Sequence, residues 1–276
     1  NLVNLGFVPV LVFIFFHQSA AEVLWTLGAG WTGVALAALC FTPILNAVRD
    51  VRVEARELLA YGLQRVPGDF ALMGLLAFPA LLAAHSRGIE PAGYVAFGIS
   101  ITNMVAAMFA PVGIILLPKM SRNLGIGNFG EIRKEVKLIG WSTAGLSLAL
   151  VAIGEACAEP AIRIYLGANF LPAIAPVRIV LLAAVPLALY YALRSAIDAF
   201  HRKAINTINL GIAFVVFVSL CVLSSLASEA PNGVLWSFVA SASLLAILTC
   251  LEVRRIVSTD SSSHLCMGNH KQPRPI

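Results

Sequence analysis

The sequence predicts an all-α integral membrane protein with about eight transmembrane helices. Three observations carry that prediction. Of 276 residues, 59% are hydrophobic and only 12% charged, against about 25% charged in a soluble domain. The mean hydropathy is +0.87, more apolar surface than a soluble core of this length buries while still covering itself with polar groups. The apolar residues also run in unbroken blocks close to the ~20 residues that span a bilayer. Barrel strands would alternate polar and apolar instead. An ordinary soluble enzyme, a disordered chain and a disulfide-stapled secreted domain are all excluded.

Taken in order, the candidate spans are 2–16, 22–45, 68–84, 92–118, 137–154, 173–199, 206–226 and 233–251. The first is short, and the chain opens Asn-Leu-Val-Asn without Met, which reads as an amino-terminal truncation. No charged region and cleavage site mark a signal peptide. Residues 47–66 are amphipathic, with charges early and apolar residues late, and read as a cytoplasmic linker helix on the headgroups. The fourth span is long and carries Pro111 and Pro118, so a kink or an extension past the bilayer is expected there. The tail from 256 to 276 is rich in Ser, Pro and polar residues and reads as disordered.

The connections divide by charge. Those at 46–67, 119–136, 200–205 and after 251, with Lys137 adjoining, hold 15 Lys and Arg; those at 17–21, 85–91, 155–172 and 227–232 hold 2. This asymmetry assigns the first set to the cytoplasm, and with it the carboxyl terminus. The alternation also supports the span count, because a missed span would scramble it. The net charge of +5 therefore reports orientation. No basic stripe interleaved with aromatics points to nucleic acid. The five cysteines include no Cys-x-x-Cys pair, and the five histidines have no carboxylate cluster beside them, so neither a metal site nor a cofactor is expected.

Three stretches resemble a known family. YGLQRVPGDFAL (61–72) resembles the YGLPRVPGD opening of the second half of bacterial polysaccharide flippases. Residues 88–124 resemble the pair of segments that follows, with a Pro-x-x-Ser break at Pro118 and Ser121. Residues 165–208 resemble the family's loop and tenth helix. The family is the multidrug/oligosaccharidyl-lipid/polysaccharide (MOP) superfamily, in particular the O-antigen (Wzx-type) flippases. The resemblance covers about residues 1–255. It departs at Gln64, where the family has Pro, which softens a helix start.

The resemblance implies a transporter of twelve or more helices in two six-helix lobes. Residues 1–46 would be the last two helices of the first lobe, 47–67 a cytoplasmic amphipathic linker, 68–255 the second lobe and 256–276 the tail. It implies a multi-pass protein of the bacterial cytoplasmic (inner) membrane, and no enzyme. Its cargo would be a polyprenyl-pyrophosphate-linked oligosaccharide, an O-antigen or capsular repeat unit carried to the outer leaflet by alternating access. Membrane lipid and a coupling ion, proton or sodium, would be its other partners.

Charges within a span cost about 2.5–3.5 kcal/mol each at the bilayer centre, so the few present are the candidate site. Arg194 and Asp198 stand four apart in the sixth span, and Arg65 and Asp69 repeat that spacing at the start of the third. Each reads either as an intrahelical ion pair or as part of a cationic cavity whose guanidinium groups take phosphate. Arg178, near the other end of the sixth span, either snorkels or joins that cavity. Asn103, with Ser100 and Thr102, is either interhelical packing or a sugar contact. Tyr190 and Tyr191 read as packing or as stacking platforms for sugar rings. The glycines and prolines inside spans read as close packing or as hinges, with Pro186 and Pro118 the hinge candidates.

Two other classes compete. A membrane polymerase or glycosyltransferase would need carboxylates on a large outward loop. The longest such loop, 155–172, has Glu155, Glu159 and Arg163 but no Asp-x-Asp. A drug or cation antiporter of the same superfamily would prefer an acidic cavity to one lined by Arg.

Overall fold

The computed structural model describes residues 62–266, apart from 201–203 and 227–231, and a few positions before residue 62. The chain divides into two compact units, Asn1–Leu58 and Leu59–Ile276. The expected spans 2–16 and 22–45, and most of the linker 47–66, lie outside the described residues. The second unit is all-helical among the described residues. Its elements are α1 (Val66–Arg87), α2 (Ile89–Ala107), α3 (Ala110–Ile126), α4 (Phe129–Tyr165), a 3-10 turn (Ala168–Ala173), α5 (Ile174–Leu181), α6 (Ala184–Phe200), α7 (Ile205–Leu226) and α8 (Gly233–Cys266).

Five helical segments are long and apolar enough to cross a membrane: Val66–Arg87, Ile89–Asn123, Gly130–Ile164, Ile205–Ser225 and Gly233–Ile256. A sixth is formed if the bent pair Ala168–Leu181 and Ala184–Phe200 is one span. The six expected spans that fall on described residues each lie on one of these. Only 22 to 44% of each long span's most apolar window is buried inside the protein. Ile89, Phe70, Ile114, Ile115 and Trp141 all stand exposed. An apolar exterior on this scale fits a solvent of lipid, and the architecture is that of a multi-pass membrane protein.

Local chemistry sets the breaks. Proline lacks the N–H that would bond the carbonyl four residues earlier. Pro111 leaves Ala107 without that bond, and α2 ends at Ala107. Pro186 leaves Leu182 without it, and the chain breaks at 182–183, bending by 42°. The Pro-x-x-Ser break expected at Pro118 is absent: α3 runs through Pro118 to Ile126, and Ser121 Oγ donates to the Leu117 carbonyl at 3.0 Å. The interruption of the fourth span falls at 108–109, just ahead of Pro111. Gly127, at a left-handed φ of 73°, stops α3. Asn128 then caps α4, its side-chain oxygen accepting from the Glu131 N–H at 3.4 Å,. The last helix also extends further than expected, to Cys266, into the first part of the stretch read as a disordered tail; residues beyond 266 lie outside the described ones.

Helix α6 lies at the centre of this unit, packed against α3, α4, α8 and α2. Its small residues Ala184, Ala188, Ala192 and Ala196 are all buried, which lets its neighbours approach closely. The main core draws on α1, α2, α6, α7 and α8, with Tyr190, Phe217 and Phe238 fully buried. A second cluster joins Leu116 and Met120, Ile132 and Val136, Ala196 and Ile197, and Val253. Lys119 and Glu135 bridge α3 to α4 beside it at 2.6 Å. This cluster lies at the end of the bundle that carries the basic residues of 119–137 and Arg254 and Arg255, with Phe200 and Ile205 packed against it. At the other end Tyr94, Ile162, Ala173 and Val177 pack together, and the Tyr94 hydroxyl donates to the Glu90 carboxylate.

Candidate functional site

The charged residues of the third and sixth spans meet across helices. Arg65 stands just before α1, and its Nη2 lies 3.1 Å from Asp198 Oδ1, near the end of α6. The two side chains are 24% and 18% exposed, so the pair is largely shielded from solvent. The intrahelical pairings read from the Arg-x-x-x-Asp spacing are not the ones formed. Asp69, the four-residue neighbour of Arg65, is exposed. Among the described residues neither Asp69 nor Arg194 has an ion pair within 4 Å. The reason is geometric. A helix surface puts i and i+4 near each other, but a neighbouring helix end that supplies an opposite charge at 3 Å competes for the same group.

Asn206, at the start of α7, ties the third element in. Its Nδ2 donates to Asp198 Oδ1 at 2.9 Å and to the Arg194 carbonyl at 3.0 Å. Asp198 thus holds a guanidinium and an amide on one oxygen. The Oδ1 of Asn206 is buried and accepts no hydrogen bond among the described residues. Close packing of α1 on α7 makes the meeting possible: Gly68 is buried with its missing Cβ position 2.9 Å from Thr207 Cα. Any side chain there would push α1, and Arg65 with it, away from α6 and α7.

Arg65, Gly68, Asp69, Tyr190, Arg194, Asp198, Asn206 and Thr207 line one cavity of about 60 Å³. That is room for about two water molecules. Tyr190 is 1% exposed, and the Arg194 guanidinium carbon stands 6.0 Å from its ring centroid, within cation–π range. Two guanidinium groups and two carboxylates therefore share one small polar cavity at the basic end of the bundle. Such a set can hold a phosphate oxygen on Arg194 and exchange partners through Asp198.

The remaining expected residues lie elsewhere. Arg178 is not part of this cavity: its Nε is 3.7 Å from Glu155 Oε2 on α4, and its Nη2 donates to the Glu155 carbonyl at 3.5 Å. Asn103 is engaged by Tyr191, whose hydroxyl donates to Asn103 Oδ1 at 3.0 Å; it also borders an apolar cavity of about 670 Å³ between α1 and α2. Thr102 is fully buried, and its hydroxyl has no partner among the described residues. Gly113 and Gly98 serve close approach: an added Cβ would meet Ser195 Oγ at 2.7 Å and Val177 Cα at 3.2 Å respectively. Among the described residues no group of three or more His, Cys, Asp or Glu is arranged to hold a metal.

No family model, curated protein or solved structure matches this chain. The functional reading therefore rests on the residues themselves. Gly68, Asn206 and Thr207, with Ala204 and Leu210, are the lining residues that the sequence did not single out. The signal for Asn206 was present: an amide in the first turn of a mostly apolar span, shortly after a basic connection.

Proposed function

We propose that this protein is a flippase of the bacterial cytoplasmic membrane. It moves a polyprenyl-pyrophosphate-linked oligosaccharide, an O-antigen or capsular repeat unit, from the cytoplasmic to the outer leaflet by alternating access. It makes and breaks no covalent bond. The described helices form part of the second lobe of a MOP-type transporter with its carboxyl terminus in the cytoplasm. The observation that carries this reading is the convergence of Arg65, Arg194 and Asp198 on one cavity at the basic end of the bundle. Charged groups inside spans are costly and mark pathways. Guanidinium groups are suited to the paired oxygens of a pyrophosphate. The basic end is the cytoplasmic one by the charge asymmetry of the connections, and a lipid-linked sugar is loaded there.

The residues divide the work. Arg194, held over Tyr190 and outside any ion pair among the described residues, takes the first phosphate. Asp198 restrains Arg65 until a proton or sodium ion reaches the carboxylate, which weakens its hold on that guanidinium. Asn206 can serve either state of Asp198, since its amide offers donors on one side and an acceptor on the other. A cavity of about 60 Å³ does not admit a sugar headgroup, so loading requires α1 to part from α6. The oligosaccharide then passes through the widened space while the lipid tail stays in the bilayer.

The test is genetic and chemical. Cells lacking the gene should accumulate lipid-linked oligosaccharide in the cytoplasmic leaflet. The wild-type gene should clear it, and Arg194→Ala should not. Normal translocation with unpolymerised units outside would point to a polymerase. No change in any lipid-linked sugar would point to a drug or cation antiporter.

A further inference from the structure

A larger cavity lies away from the site above. It occupies about 780 Å³ between α4, α6 and α8. Its walls change character with depth. Arg133 and Lys137 stand one turn apart near the start of α4, and Arg254 faces them from α8. Further along the same stripe of α4 come Trp141 and Ala144, with Cys250 opposite and Leu189 at the floor,. Three cations thus stand at the end of the groove beside the start of α4, and apolar side chains line it further along that helix.

No carboxylate lines this groove, and among the described residues none of the three cations forms an ion pair. Of the nearby acids, Glu135 is held by Lys119, and Glu252 lines an adjoining cavity with Arg254 and Arg255 without an ion pair to Arg254 among the described residues. Three like charges converging without an anion repel one another. Among the described residues nothing supplies the matching anion, and the apolar length of the groove suits one that carries a hydrocarbon chain. Trp141 is 72% exposed and follows the two cations of α4 by one helical turn, and indoles favour the headgroup boundary.

We propose that this groove binds one anionic diacyl phospholipid of the membrane, its phosphate on Arg133, Lys137 and Arg254 and an acyl chain along Trp141 and Leu189. The site is independent of the transport reading, because it shares no residue with the Arg65–Asp198 cavity.

Trp141 supplies the probe. The full chain, with Trp25, Trp31 and Trp236 changed to Phe, is reconstituted in phosphatidylcholine bilayers. Its emission is then titrated with phosphatidylglycerol or phosphatidylcholine carrying brominated chains. A juxtamembrane cation favours an anionic lipid by about fivefold, so phosphatidylglycerol should quench at a mole fraction at least about fivefold lower. Arg133→Gln, Lys137→Gln and Arg254→Gln together should bring the two curves together. Each single Gln variant, which leaves two cations in place, should give an intermediate preference. Arg87→Gln with Arg163→Gln removes two charges at the opposite end and should keep the full preference. Equal quenching by the two lipids overturns the proposal, as does a preference that survives the triple change. Loss of the preference in millimolar inorganic phosphate also overturns it, since the site would then take a free anion.

Discussion

Gly68→Ala is the sharpest test of how packing holds the polar cavity together. The added methyl carbon would lie 2.9 Å from Thr207 Cα and Oγ1 and 3.2 Å from Thr207 Cβ. Carbon atoms rest at about 3.5–4.0 Å. The Thr207 hydroxyl can rotate away, but its Cα is backbone, so α1 and α7 must separate by roughly 0.6 Å or more. Overpacking of this kind costs about 1–3 kcal/mol. Replacing a helical Gly by Ala returns up to ~1 kcal/mol through backbone entropy. That return is shared by Gly145→Ala, whose Cβ would meet nothing within 4 Å. The difference between the two variants therefore isolates the overpacking, and Gly68→Ala should be the less stable by about 1–3 kcal/mol. Reversible unfolding in mixed micelles reads it. Equal stabilities, within about 0.5 kcal/mol, would refute the close approach of α1 to α7.

Three further outcomes follow from the same geometry. A double-mutant cycle on Arg65→Gln and Asp198→Asn should give a coupling of about 1–3 kcal/mol in unfolding; the cycle with Asp69→Asn should give less than about 0.5 kcal/mol, and the reverse order would restore the intrahelical pairing. Pro186→Ala should let the 42° bend relax, lengthening the distance between spin labels at Ala175 and Ala199 by up to about 2 Å at a rise of 1.5 Å per residue. Pro118→Ala should leave labels on α3 unmoved; an unchanged distance in the first case would remove proline as the cause of the bend. On a cysteine-free background, Arg163→Cys should react with an impermeant maleimide in intact cells and Lys134→Cys only after the membrane is opened; the opposite pattern would invert the topology.

The six spans that fall on described residues were legible in the sequence because lipid imposes a length and a composition that a run of residues carries by itself,. The breaks were partly legible. Pro111 and Pro186 stop helices where their missing N–H falls in an early turn. Pro118 does not, and its ring is accommodated on an exposed face of α3. The members of the polar cavity were mostly legible as well, since a charge in an apolar run stands out. Their pairing was not. Spacing along one helix reports only neighbours on that helix, whereas Arg65 and Asp198 are joined by the fold. Nor could spacing foretell that Glu155 would draw Arg178 aside, or that Tyr191 would occupy Asn103. Both outcomes depend on which helices become neighbours. The groove above Trp141 escaped notice for the same reason, because its cations sit in connections that the charge count had already explained as orientation.

Arg194 bears the central claim, and one assay addresses it directly. The whole transporter is reconstituted in vesicles containing a polyprenyl-pyrophosphate-linked oligosaccharide, and headgroup translocation is followed by protection from an impermeant enzyme. A guanidinium–phosphate contact is worth about 1.5–3 kcal/mol. The wild type should therefore translocate the lipid, and Arg194→Ala, folded to the same stability, should be slower by roughly tenfold or more. Translocation by Arg194→Ala at the wild-type rate, or none by the wild type above protein-free vesicles, would contradict the account.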